Sequence, residues 1–363
     1  MTKSKNFFIK TYGCQMNEAN SERIKKVFTS KGYKEIKNIN KANLVIINSC
    51  IVRKSAENRV YGLINNLRKN EQWRNEKMIN GKMINGEIIL TGCLAGWALL
   101  DKSLKNLKDL RRRIGPDIQI ILTENLAPEH SRNVRTCIPG MSPALVPISN
   151  GCNHFCSYCI VPFARGKEVS RPEKEIIKEV KLLVKNGHSQ ITLLGQNVNS
   201  YGKDLKNTAF PQLLEKVAKV AGIKKIDFLS ANPWDFSNEL IKVIGKYKNI
   251  NRTIHLPVQS GDDDILKKMN RPYTARQYLT LIEKIKKAIP QVKLTTDIIV
   301  GFPTESKKQF ENTVKLARQV GFQKAYLAKY SPRPGTAASK LKDNVSPPEK
   351  KRRWLVLEKL INK

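Results

Sequence analysis

Acidic residues are scarce in this chain. Only 31 Asp and Glu stand against 66 Lys and Arg, which leaves a formal net charge of +35 over 363 residues. Two readings follow: a lysine-rich solvated surface, or a polyanionic partner, nucleic acid first. Long apolar runs are also missing. None is long enough to span a bilayer, and residues 1–10 lack the apolar core of a signal peptide. A disulfide framework is missing as well. The seven cysteines are odd in number, and three of them (Cys14, Cys93 and Cys152) directly follow a glycine, unlike the paired spacings of small secreted domains. These absences argue against secretion and a membrane anchor. They fit a soluble, cytoplasmic protein whose cysteines ligate metal. Apolar content is ordinary at 40%, and the length allows two domains with sizeable cores.

Among what is present, one stretch stands out: Gly151-Cys152-Asn153-His154-Phe155-Cys156-Ser157-Tyr158-Cys159. Its Cys-x3-Cys-x2-Cys spacing is one thiolate short of a four-ligand iron–sulfur site. A cubane held by three cysteines leaves one iron open for a substrate or cofactor. A zinc site would want a fourth Cys or His. His154 is the nearest candidate, but it lies between the first two cysteines, where a short loop hardly wraps it onto the same metal. Inert buried thiols are the remaining reading. The spacing, with Tyr158 just before the last cysteine, resembles the radical S-adenosylmethionine (SAM) signature.

Strands and helices alternate along the first third. Strand signals at residues 7–11, 44–48, 88–91 and 118–122 are separated by helical patterns near 21–30, 56–67 and up to 113. Cys14, Cys50 and Cys93 each follow the C-terminal end of one of the first three strands. In a parallel sheet those ends share one edge, where ligands bind in open α/β folds. Three free thiols by chance is one reading; a second three-thiolate cluster is the other. Residues 70–86 are polar, with a tandem Lys-Met-Ile-Asn-Gly repeat, and read as a loop insertion. Residues 127–143 read as a Pro-punctuated linker, with Cys137 structural or incidental.

From residue 144 six strand signals recur, at 145–148, 190–194, 226–229, 253–256, 294–300 and 324–329. This predicts a partial (βα)6 TIM-like barrel, with chemistry at the strand C-termini. Candidate pocket residues at those ends are Gln196, Asn197, Ser230, Gln259 and Gly301, each readable as a turn residue instead. Arg165 and Arg171 flank the cysteine loop and could meet a phosphate or the SAM carboxylate. A basic helix near 349–360 carries Lys350, Lys351, Arg352 and Arg353, which could touch RNA or simply be solvated. The expected domains are therefore 1–126, a linker 127–143, 144–340 and a basic terminal helix in 341–363.

Several stretches together resemble the radical-SAM methylthiotransferase family. They are Thr11-Tyr12-Gly13-Cys14-Gln15-Met16-Asn17, Asn48-Ser49-Cys50 with Arg53, Thr91-Gly92-Cys93-Leu94-Ala95, and the run from Gly151 to Gly166. LLGQNVNSY at 193–201, HLPVQSG at 255–261, DIIVGFP at 297–303 and YSPRPGT at 330–336 extend the match. Within that family, Gln-Met-Asn after Cys14 and Gly-Gln-Asn-Val-Asn at 195–199 resemble the type acting on isopentenylated adenosine beside the tRNA anticodon.

The resemblance implies two [4Fe–4S] clusters and SAM. Cys152, Cys156 and Cys159 would hold the SAM cluster; Cys14, Cys50 and Cys93 would hold an auxiliary cluster carrying the sulfur. One SAM methylates that sulfur, and a second gives the radical that removes hydrogen from carbon 2 of the adenine. Tyr158 would join the SAM pocket. Implied partners are the tRNA anticodon loop and an electron donor such as flavodoxin or ferredoxin, with no membrane, for a monomer. Two other substrates stay open: threonylcarbamoyl-adenosine in tRNA and a ribosomal-protein aspartate. So does a non-catalytic iron–sulfur protein that binds RNA or senses redox state. Gly96 and Thr304 stand where the family often has Gln and Gly. The family usually ends in a small RNA-binding β-barrel, expected here to be absent after residue 363.

Overall fold

The computed structural model describes residues 5–69, 77–79, 82–84, 86–127 and 143–362. Cys137 and nearly all of the expected linker lie outside them. The chain divides into two compact units. One comprises residues 1–141 and 160–167; the other comprises residues 142–159 and 168–363.

The first unit is an open α/β layer. Strands β1 (Asn6–Tyr12), β2 (Lys34–Glu35), β3 (Leu44–Ser49), β6 (Glu87–Gly92) and β7 (Gln119–Ile120) form one parallel sheet in the order β2-β1-β3-β6-β7. β3 is buried along its whole length, as a continuous apolar run in a two-sided parallel sheet must be. Helices α1 (Gln15–Ser30), α2 (Lys54–Lys69), α3 (Cys93–Leu99), α4 (Lys105–Ile114) and α5 (Thr123–Leu126) accompany the sheet. Within residues 70–86, which read as a loop insertion, β4 (Lys77–Ile79) and β5 (Lys82–Ile84) pair antiparallel.

Two boundaries differ from the sequence expectation. α1 begins six residues before the expected start at Ser21, because the Cys14 carbonyl accepts from the amides of Asn17 and Glu18 at 2.8 and 3.1 Å. The Gln-Met-Asn run is therefore the first turn of a helix. Residues 160–167, expected in the second domain, pack in the first unit. There Ile160 and Ala164 are buried in a core with Leu94 and Trp97. Helix α6 (Val161–Arg165) can lie close because Gly96 has no side chain. A Cβ there would sit 2.0 Å from the Ala164 carbonyl oxygen.

The second unit carries two three-stranded parallel sheets. β8 (Ala144–Pro147), β11 (Gln190–Leu194) and β12 (Lys225–Phe228) form one; β13 (Thr253–His255), β14 (Lys293–Val300) and β15 (Lys324–Lys329) form the other. A lone bridge between Ile226 and Ile250 joins the two. The six strands therefore follow one another in chain order as an open, partial barrel. A two-stranded ribbon of β9 (Ser149–Asn150) and β10 (Val169–Ser170) flanks the cysteine loop. Covering helices are α7 (Glu173–Lys185), α8 (Phe210–Ala218), α9 (Asn238–Lys246), α10 (Asp263–Lys268), α11 (Ala275–Ala288) and α12 (Lys307–Val320). α11 and α12 each start on a capping box, Thr274 with Gln277 and Ser306 with Gln309.

The basic terminal helix α13 (Pro347–Ile361) packs on β14 and β15. Of Lys350, Lys351, Arg352 and Arg353, two are not available to RNA as placed. Arg353 is 4% exposed and bonds Glu305 at 2.7 Å; Lys350 is 7% exposed and bonds Asp343 at 2.6 Å. Among the described residues no helix is long and apolar enough to cross a membrane.

Candidate active site

In the first unit, sheet register gathers the three cysteines. Tyr12 pairs with Ser49, and Ser49 pairs with Gly92, so β1, β3 and β6 end in one row. Adjacent strands lie about 4.8 Å apart. Cys50 and Cys93 follow the row directly and Cys14 follows two residues later, at the N-cap of α1. Cys14 is exposed; Cys50 and Cys93 are buried.

Asn17 pins these three loops together. It is fully buried, and its Nδ2 donates to Asn48 Oδ1 at 2.9 Å and to the Ser49 carbonyl at 3.1 Å. Its Oδ1 accepts from Cys14 Sγ at 3.5 Å, and its side chain also hydrogen-bonds Cys93. Room for this pin requires glycine beside it. A Cβ on Gly13 would meet the Asn17 carboxamide at 2.5 Å, and one on Gly92 (φ +84) would meet Asn48 Oδ1 at 2.4 Å.

The Cys50 and Cys93 thiols hydrogen-bond to each other. Cys50 keeps its proton, its pKa raised by that bond and by burial. Cys93 is lowered, first as the acceptor from Cys50, against the opposing effect of burial, with the Arg165 cation lowering it further. Arg165 Nε donates to Cys93 Sγ at 3.2 Å. The arginine expected near a phosphate or the SAM carboxylate thus sits against the thiol set of the first unit. Arg171 likewise has other partners, Glu179 at 2.8 Å and the Pro147 carbonyl at 2.6 Å.

In the second unit the cysteine loop is docked by its backbone. Ser157 N donates to the Met269 carbonyl at 3.0 Å, and Ser157 Oγ to the Lys268 carbonyl at 2.7 Å. Asn270, in a left-handed turn (φ 56), donates from Nδ2 to the Phe155 carbonyl at 2.8 Å. Arg271 Nη1 reaches Cys156 Sγ at 3.6 Å. On the other side His154 Nε2 lies 3.4 Å from Asp235 Oδ2 and packs edge-on to Trp234. His154 is therefore engaged with a carboxylate. Burial pushes the Cys152 thiol up to about 11. Tyr158 packs in an apolar cluster with Ile265, Met269, Phe302, Tyr330 and Ala338.

The candidate pocket residues connect to this loop. Asn197 is fully buried, and its Nδ2 donates to Asp235 Oδ2 at 2.7 Å, next to His154. Val198 N donates to the Ser230 carbonyl at 3.2 Å, and Asn199 and Asn232 exchange hydrogen bonds at 2.8 Å. Gln196 is half-buried on the same loop. Ser230 (φ 65) and Gln259 (φ 66) both hold left-handed backbone. That geometry costs about 1–2 kcal/mol in a non-glycine residue and is concentrated at functional sites. Gly301 (φ +67) donates from its amide to Glu305 Oε2 at 2.7 Å.

Among the described residues, Asn197 Oδ1, Gln259 Oε1 and Ser149 Oγ are buried without a hydrogen-bond partner. Orphaned acceptors of this kind are rare in folded proteins. They fit a polar small molecule such as SAM at the strand ends. No three His, Cys, Asp or Glu side chains among the described residues converge tightly enough to grip an ion as they stand. The cysteines are gathered by loop geometry rather than by ligation. Sequence reasoning missed Asp235 and Arg271. Asp235 follows a strand-end Asn-Pro, and Arg271 follows a helix-ending Met-Asn; those turn signals were the only local clues.

Comparison with known proteins gives the class. Residues 146–317 match the Radical SAM superfamily, and residues 6–109 match the Uncharacterized protein family UPF0004. A radical S-adenosylmethionine methyltransferase from Kitasatospora setae, solved with cobalamin and a [4Fe-4S] cluster, superposes with a TM-score of 0.62. It shares 12% identity, over 93% of this chain and 77% of that one. A cobalamin-dependent S-adenosylmethionine radical enzyme, OxsB, gives a TM-score of 0.54 at 10% identity, over 99% of this chain and 56% of that one. At such identities the likeness is one of fold. Fold, cysteine loop and superfamily match together define a radical SAM enzyme, which implies a [4Fe–4S] cluster and SAM.

The particular family follows from closer relatives. The tRNA-2-methylthio-N(6)-dimethylallyladenosine synthases of Staphylococcus haemolyticus (strain JCSC1435) and Staphylococcus aureus (strain MRSA252) are each 42% identical. Both alignments cover 99% of this chain and 72% of the relative. The chain belongs to the family of tRNA-2-methylthio-N(6)-dimethylallyladenosine synthases.

Proposed function

We propose that the chain methylthiolates carbon 2 of N6-isopentenyladenosine next to the tRNA anticodon. The observation that carries this reading is the second thiol set. A radical SAM barrel needs only the cysteine loop; the in-register row ending at Cys14, Cys50 and Cys93 calls for a second group with its own task. Cys152, Cys156 and Cys159 would hold one [4Fe–4S] cluster, and Cys14, Cys50 and Cys93 a second, auxiliary one. Loaded, these groups and SAM supply a 5′-deoxyadenosyl radical and the sulfur to be transferred.

The chain's own residues bind and orient. Asn197, Gln259 and Ser149 offer buried acceptors to SAM, and Gln196, Ser230 and Gly301 shape the strand ends around it. Tyr158 closes the apolar side. Asn17 holds the auxiliary loops in register, and Arg165 places a cation on Cys93. A net charge of +35 attracts the anticodon-loop phosphates. The reading includes a cytoplasmic monomer fed by a one-electron donor such as flavodoxin or ferredoxin. It divides the chain at 1–126 and 144–340, with residues 160–167 lent to the first unit.

The test is nucleoside analysis of tRNA from a strain lacking its own enzyme and expressing this chain. The 2-methylthio form of isopentenyladenosine should appear. Unmodified isopentenyladenosine, with methylthiolated threonylcarbamoyl-adenosine or ribosomal-protein aspartate instead, would refute the substrate.

A further inference from the structure

We propose that Arg271 is the resident counter-charge of the Cys152, Cys156 and Cys159 thiol set, and that it raises the potential at which a cluster on those thiolates accepts its electron. This rests on the reading of that set as the SAM cluster site.

The inference begins with an unbalanced charge. Arg271 is only 7% exposed. A buried cation is expensive unless an anion and further hydrogen bonds accompany it. Arg353, buried in the same unit, follows that rule: it has Glu305 at 2.7 Å and Glu349 at 2.8 Å. Arg271 does not. Among the described residues no carboxylate pairs with it. Its Nη2 donates to the Pro257 carbonyl at 2.9 Å and its Nε to Tyr273 OH at 3.2 Å. Nη1 is shared between Asn232 Oδ1 at 3.4 Å and Cys156 Sγ at 3.6 Å. The guanidinium also lies 4.5 Å from the Trp234 ring centroid and 5.3 Å from that of Tyr273. Of these partners Cys156 is the one that ligation turns into an anion, since a cluster is held by thiolates, so its sulfur carries the missing negative charge.

The position is also fixed. The Arg271 amide donates to the Leu266 carbonyl at 2.9 Å, and the preceding Lys268, Met269 and Asn270 hold the cysteine loop. The cation therefore stays beside the sulfur instead of swinging to solvent. In a water-poor setting one fixed charge at this range is weakly screened. Reduction adds one electron, taken from an external low-potential donor, and breaks no bond. A neighbouring cation favours the more negative, reduced state, and charge near the sulfurs is an established lever on such potentials.

The test uses the full chain with Cys14, Cys50 and Cys93 changed to alanine, so that one four-iron signal is read. It is reconstituted anaerobically and titrated with dithionite under EPR, without SAM. In Arg271→Gln the reduced-to-oxidised ratio at a fixed potential should fall at least tenfold, about 59 mV for a one-electron couple. Arg271→Lys, which keeps the charge, should stay within threefold of the parent. Should the Gln variant take up no iron while the Lys variant loads fully, the need for the charge stands. A Gln variant that loads fully and reduces like the parent would overturn the proposal. So would a Lys variant that fails to load, since shape and not charge would then be decisive. A parent chain that holds no iron at this site would instead sink the cluster reading itself.

Discussion

Replacing Arg353 with methionine should unfold the second unit well before the rest of the chain's stability is touched. Arg353 and Glu305 are 4% and 3% exposed, with Nη1 and Oε2 2.7 Å apart. The same Glu305 oxygen accepts from the Gly301 amide at 2.7 Å, and Nη1 also donates to the Glu305 backbone carbonyl at 2.9 Å. Methionine matches the length of the arginine stem but strands the carboxylate. Removing one partner of a buried pair costs about 3–5 kcal/mol. For a unit of this size each kcal/mol shifts Tm by about 2–4 °C, so the drop is roughly 6–20 °C. Differential scanning calorimetry reads it directly. The double change Arg353→Met with Glu305→Gln removes the stranded charge and should recover about 2 kcal/mol. A single variant within about 1 kcal/mol of the parent, or a double variant no better than the single, would refute the idea that α13 is an ion-paired strut beneath the Gly301 turn.

Three further outcomes are expected. Thr304 holds a left-handed backbone (φ 69) although it is β-branched and exposed. Thr304→Gly should therefore gain about 1 kcal/mol in urea unfolding, less the loss of the Lys268 hydrogen bond at 2.6 Å; a loss of stability would contradict the strain. Asn17→Ala leaves the Asn48 and Ser49 acceptors unmet and should cost about 1–3 kcal/mol, with roughly four fewer irons per chain on reconstitution; full iron would show that Asn17 does not organise the triad. Gln259→Leu keeps the volume but removes the orphaned acceptor. It should weaken SAM binding about tenfold by calorimetry while leaving the iron content intact, for a loss of roughly 1–2 kcal/mol; unchanged affinity would remove Gln259 from the pocket.

The architecture was readable where local chemistry carried it. Apolar runs such as Leu44 to Ile47 mark buried parallel strands, and the Gly-Cys or Ser-Cys that follows marks each end, so the thiol row was legible before its register was known. The SAM-side cysteine loop was legible from spacing alone. Contacts between distant segments were not. Nothing around Arg271 announces Cys156, 115 residues away. The basic run Lys350 to Arg353 reads as an RNA-contacting or a solvated face, yet two of its members are buried against Asp343 and Glu305. Residues 160–167 follow Cys159 in sequence but fold in the first unit. Only the missing side chain at Gly96 hinted at that close approach, and a single glycine in a helix has many explanations.

The most direct test is iron counting after anaerobic reconstitution, on the parent chain and on two variants. The parent should hold about eight irons, two cubanes of four. Cys50→Ala should hold about four and still cleave SAM, but yield no methylthio product on isopentenylated tRNA. Cys156→Ala should hold about four and cleave no SAM. Four irons in the parent, or normal methylthiolation by Cys50→Ala, would contradict the two-site account.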